Sequence, residues 1–231
     1  MKLDRIIVFL VFGTLAFSVI GQTTRAGLGA YLNWTADQAE RVGKEMRKSG
    51  QVGKSLDFRI IHTERAINYK LRATLMTPDV IRASARVEQF RNRLTDEQTR
   101  DLVEEAEAGN HLVVLVELDP REGSGVIPLD WRVFLQPAGL RLGDPGSIPG
   151  IKAPELRSVK ALTGVYRRDY DYDIFWVTFP LVDKNGNATI SSDVQEIELL
   201  VGIYGNEGRV SWKLPESLRD RITALARKKN N

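Results

Sequence analysis

Three aspartates at alternate positions, Asp169, Asp171 and Asp173, form the densest run of hard oxygen donors in the chain. On a strand they project from one face about 6.6 Å apart, each from the next. Calcium takes its oxygens at about 2.3–2.6 Å, so a metal there needs loop curvature to gather the three carboxylates. Arg167 and Arg168 stand beside them and offset part of the charge. Read for chemistry, the group is a site for a divalent cation or a basic ligand. Read for structure, it is the solvated start of a strand whose core section begins at Phe175. Carboxylates stay in water unless paired, which favours the structural reading. Calcium is the one cofactor the sequence leaves open.

Other chemistry finds little to work with. The chain has no cysteine and two histidines, which removes thiol catalysis, disulfides and cysteine-ligated metals. His62 sits in a polar stretch beside Glu64, and His111 opens an aliphatic run; each reads as a surface or strand-end residue rather than a general base. Gly53-Lys54-Ser55 resembles the end of a phosphate-binding loop, but that motif needs glycine at position 48, where Lys48 stands. Gly123-Ser124-Gly125 lacks the spacer residues of a nucleophile elbow. In Asp183-Lys184-Asn185-Gly186-Asn187 the glycine is fourth rather than sixth and Val194 occupies the twelfth place, so a turn explains it better than a calcium loop. No acidic pair has a spacing that singles it out for glycoside hydrolysis. Trp131 and Trp212 fall on the inward phase of strands and Trp176 in a doubly apolar one, which leaves Trp34 alone for stacking on a sugar. The expectation is therefore a protein that does not catalyse, with a carboxylate-based hydrolase or a calcium- or carbohydrate-binding module as alternatives.

A net charge of +3 is spread along the chain without a basic stripe, which argues against nucleic acid as a partner. Arg227-Lys228-Lys229 reads as a solvated tail. Residues 1–21 have the layout of a secretory signal peptide: Lys2 and Arg5, then an apolar run from Ile6 to Ile20, with small residues at Ala16, Ser18 and Gly21. The run is shorter than the roughly 20 residues of a membrane span. Neither Ala16-Phe17-Ser18 nor Val19-Ile20-Gly21 is a compelling cleavage site, so an uncleaved N-terminal anchor is the alternative. A secreted eukaryotic domain of this size usually carries disulfides, so their absence points to a bacterial protein in the periplasm or beyond. That compartment makes another envelope protein the expected partner, with membrane contact only through the N-terminal segment. The sequons at Asn33 and Asn187 carry little weight there.

The best-patterned stretch is Ile197 to Leu214. Ile197, Leu199, Val201 and Ile203 alternate with other residues, and after Gly205-Asn206-Glu207-Gly208 the alternation resumes at Val210, Trp212 and Leu214. Period two means one buried face. The pattern predicts a hairpin with a four-residue loop, Gly205 to Gly208, in which Ile203 faces Val210, Val201 faces Trp212 and Leu199 faces Leu214. Further strands are expected at Leu56–Ile60, Ile67–Met76, Leu112–Leu118 (covered on both faces), Leu129–Leu135 and Tyr170–Leu181. Leu140–Leu142 is a candidate short strand inside the Pro- and Gly-rich loop from Pro137 to Pro154, and Leu156–Leu162 is strand or short helix. Helices are expected from the Thr35–Gln38 capping box to a stop near Gly50, from Thr77-Pro78-Asp79 with a stripe of Val80, Ala83, Val87, Phe90 and Leu94, from the Thr95–Gln98 capping box to Gly109, and from Pro215 to Lys229 with Leu218, Ile222 and Leu225 inward.

Short strands without a βαβ rhythm predict a mainly β chain with helical additions: an antiparallel immunoglobulin-like β-sandwich with a two-helix insertion. The expected divisions are 1–21 (signal or anchor), 22–54 (flexible lead-in and short amphipathic helix), 55–215 (β-sandwich, with the insertion at 77–108) and 216–231 (C-terminal helix and basic tail). The functional expectation is an exported binding or scaffold module that contacts another protein.

Overall fold

A computed structural model of the chain describes residues 29–54, 67–121, 124–141, 143–152, 173–191 and 193–228. The fold is mixed α+β, with two antiparallel sheets and four α-helices among the described residues. The helices are α1 (Ala36–Glu45), α2 (Pro78–Asn92), α3 (Asp96–Glu107) and α4 (Glu216–Lys228). The strands are β1 (Arg47–Gly53), β2 (Asn68–Met76), β3 (His111–Pro120), β4 (Arg132–Pro137), β5 (Ile148–Pro149), β6 (Ile151–Lys152), β7 (Asp173–Pro180), β8 (Glu196–Ile203) and β9 (Asn206–Lys213). One sheet runs β1-β2-β3-β7-β6 and the other β5-β4-β8-β9.

The sheets share one apolar core. Leu71, Ala73 and Leu75 of β2, the even-numbered residues Leu112 to Leu118 of β3, and Val177 and Phe179 of β7 meet Val133 and Leu135 of β4, Ile197 to Ile203 of β8, and Val210 and Trp212 of β9. The odd-numbered phase of Val113 and Leu115 looks the other way. There Val113, Met76 and Trp176 pack with Val80, Ile81 and Ala85 of α2, Val103 of α3 and Tyr31. The central strand β3 is thus covered on both faces, as its aliphatic run requires. Leu218 and Ile222 of α4 close the main core from one end.

All four helices join strands at that same end: α1 leads into β1, α2 follows β2, α3 leads into β3, and α4 follows β9. Among the described residues the opposite end carries loops and turns only. There β1 finishes at Gly53, β2 begins at Asn68, β3 finishes at Pro120, β4 begins at Arg132, β7 begins at Asp173, and β8 turns into β9. The two sheets are closely joined along one side, where β1 passes β9. A Cβ on Gly208 would lie 2.6 Å from the Gln51 carbonyl oxygen, and one on Gly50 2.6 Å from that of Arg209. Glycine at both positions permits this backbone approach. On the other side Gly150 carries the chain between sheets, from β5 to β6.

The helix starts follow their signals: Thr35 and Thr95 form reciprocal capping boxes with Gln38 and Gln98, and Thr77 caps α2 ahead of Pro78. Several expectations need correction. Arg47–Gly53, read as the end of the first helix, is an edge strand. It lacks alternation because one face carries Arg47, Ser49 and Gln51 over polar neighbours, while Gly50 on the other presses on β9. The β8–β9 turn is Tyr204-Gly205, not the four-residue loop, and Leu199 meets Val210, Ile197 meets Trp212 and Ile203 meets Asn206. The pairing differs from the expected one by four positions, an even slip that leaves every side chain on its expected face. Phe90 is 46% exposed, its ring lying under the Arg86 guanidinium at 4.2 Å. Trp34, read as exposed, is half-buried: it packs against Ala39 and Val87 and edge-on to Tyr31. Leu140 lies outside any strand; the short strands of that loop come later, at Ile148 and Ile151. Leu56–Ile60 and Leu156–Leu162 lie outside the described residues.

Candidate functional site

The loop end holds a segment whose backbone is pinned while two of its apolar side chains, Val126 and Leu129, face water and Ile127 packs on the core. After β3, Arg121 N–H donates to Asn68 O (3.1 Å) and Ser124 Oγ donates to the same carbonyl (2.6 Å). The buried Tyr69 hydroxyl lies 3.0 Å from Ser124 O and 3.3 Å from Val126 O. Further along, Lys152 Nζ donates to Leu129 O (2.9 Å) and Trp131 O (2.6 Å), and sits 4.9 Å from the Trp131 ring centre. Trp131 packs at 5.0 Å on Phe175. Four carbonyls of one loop are therefore held by two side chains anchored in strands. Between these anchors Val126 is 74% exposed and Leu129 97% exposed. Leu129 therefore does not begin the inward phase of β4; that phase starts at Trp131.

Another exposed apolar side chain at this end is Tyr204, 52% exposed on the two-residue hairpin turn. Its φ is 48° and that of Gly205 is 78°, the left-handed pair of a type I′ turn, where Asn-Gly is the usual choice. A bulky aromatic there costs backbone energy that Asn or Gly would not. Behind the turn, Arg209 accepts no such strain: its guanidinium donates to Glu198, Glu207 and Leu140 O, and the Glu207 bond with its charge raises its pKa further.

Of the expected acidic cluster the described residues include Asp173 alone. Asp173 is exposed at the first position of β7, opposite Leu118, whereas Asp169 and Asp171 lie outside the described residues. Among the described residues no group of three or more His, Asp or Glu side chains could hold a metal ion. His111 is exposed at the start of β3 and His62 lies outside the described residues. The Asp183 loop is a turn: its carboxylate accepts the N–H groups of Asn185 and Asn187 (both 2.8 Å), which lowers its pKa, the Asn187 bond first.

Sequence reasoning passed over one carboxylate pair. Glu117 and Asp119 are both buried on the outward face of β3, about 6.6 Å apart by strand geometry. Arg47 binds Glu117 through both oxygens (2.7 and 2.9 Å), and Lys70 Nζ lies 2.8 Å from Asp119. The signal was present as two acids at alternate positions in an aliphatic strand, a place where unpaired charge is costly. A second polar cluster ties the helices: Arg82 contacts Glu107 (3.1 Å) and Asp79 (3.5 Å), Ser217 of α4 donates to Asp79, and Arg221 donates to the carbonyls of Glu107 and Gly109. Burial pushes the Glu107 carboxyl above the usual carboxylate range, against the pull of Arg82.

Compared with models of known families, with curated proteins and with solved structures, the chain matches none of them. Among the described residues no helix is long and apolar enough to cross a membrane.

Proposed function

We propose that this chain is a non-catalytic binding or scaffold module of the bacterial cell envelope, an immunoglobulin-like β-sandwich that contacts another protein through its loop end. Strand order supports the immunoglobulin-like reading. Taking β2, β3, β4, β6, β7, β8 and β9 as strands A to G gives sheets A-B-E-D and C-F-G, the order of that fold. On this reading β5 is an additional C′ strand, β1 extends the A edge, and α2 and α3 are inserted between A and B. The B–C and F–G loops then emerge at one end, the end that variable domains use for recognition.

One observation carries the functional reading: Val126 and Leu129 are held out into solvent on a loop whose carbonyls are tied down from behind. Exposed apolar side chains on a preorganised backbone lose little entropy on binding, which is where affinity is gained most cheaply. Tyr204 adds an amphipathic ring of the type that dominates interface hot spots. The N-terminal segment is the export signal, with retention as an anchor as the alternative; mass spectrometry of the mature N-terminus separates the two. Capture from the native envelope tests the contact itself. Wild type is expected to retain a discrete partner that Val126→Glu, Leu129→Glu loses and Phe90→Ala keeps. Equal capture by wild type and the loop variant counts against the loop end.

A carboxylate hydrolase is the second reading, favoured by two buried carboxylates, Glu117 and Asp119, on one face of β3. It ranks second because both groups are already paired with cations, as in structural networks. Cleavage of aryl glycosides by wild type and not by Glu117→Gln would raise it; no cleavage by wild type retires it.

A further inference from the structure

We draw no further inference here: the strongest candidate, the Asp79–Arg82–Glu107–Arg221 cluster between α2, α3 and α4, would act as a switch only through the raised pKa of Glu107, and nothing else in that cluster binds or moves.

Discussion

Gly208→Ala is the substitution that most directly probes how the two sheets are joined. Gly208 has an ordinary backbone conformation, so alanine meets no dihedral strain, and the loss of chain freedom in the unfolded state favours the variant by about 0.4–1 kcal/mol. Against this, the new Cβ would lie 2.6 Å from the Gln51 carbonyl oxygen and 2.6 Å from a Val52 methyl. The obstacle includes backbone in a paired strand, so relief requires β1 and β9 to move apart. Overpacking of this kind costs about 1–3 kcal/mol, and a rigid neighbour places it near the top of that range. The net expectation is a loss of about 2 kcal/mol, or roughly 4–8 °C in Tm for a chain of this length. Urea unfolding measures it as a lower midpoint at unchanged slope. Gly109→Ala is the control: nothing lies within 4 Å of its Cβ, so it should be neutral or mildly stabilising. A Gly208→Ala protein as stable as wild type would refute both the close approach of β9 to β1 and the register that places Gly208 there.

Arg47→Ala removes a guanidinium nitrogen that donates to both oxygens of a carboxylate whose side chain is 1% exposed, and should cost about 1.5–3 kcal/mol in urea unfolding. For Glu107 the folded pKa stands above the unfolded one, so its contribution is fully present below the unfolded value and is lost as pH rises through the folded value. Glu107→Gln should therefore gain on wild type as pH rises across that interval and match it most closely in acid, read by thermal melts over a pH series; an advantage that shrinks with rising pH contradicts the cause given. Leu129→Glu should change stability by less than about 0.5 kcal/mol, since the side chain touches water almost throughout, while abolishing partner capture. Calorimetry with calcium tests the aspartate run: heat from wild type but not from Asp171→Ala, Asp173→Ala would establish a site, and no heat from wild type ends that idea.

Much of the framework was legible because burial leaves periodic traces. Ile197 to Ile203 and Val210 to Leu214 do face the core, as do Trp131, Trp212, Leu218 and Ile222. Capping residues marked Thr35, Thr77 and Thr95 because orphan N–H groups need those acceptors. Period two names a face but not a partner, which is why the hairpin faces came out as expected while Leu199 met Val210 instead of Leu214. The type I′ twist of Tyr204-Gly205 matches the strands better than a four-residue loop, and tyrosine is a poor signal for it. β1 was invisible because its partners supply the burial: only Val52 in it is wholly buried, and its polar face answers Glu117 and Lys70, far away in sequence. The loop end was hidden for a similar reason. Leu129 continues the alternation of Trp131 and Val133, and only the hydrogen bonds of Tyr69 and Lys152 show that the chain leaves the sheet before it.

Site-specific photo-crosslinking in the native envelope addresses the central claim, contact through the loop end. With a benzophenone side chain placed in turn at 129, 204 and 90, a discrete adduct is expected from positions 129 and 204 and none from position 90. Adducts from position 90 alone would move the contact to the helical end and contradict the account.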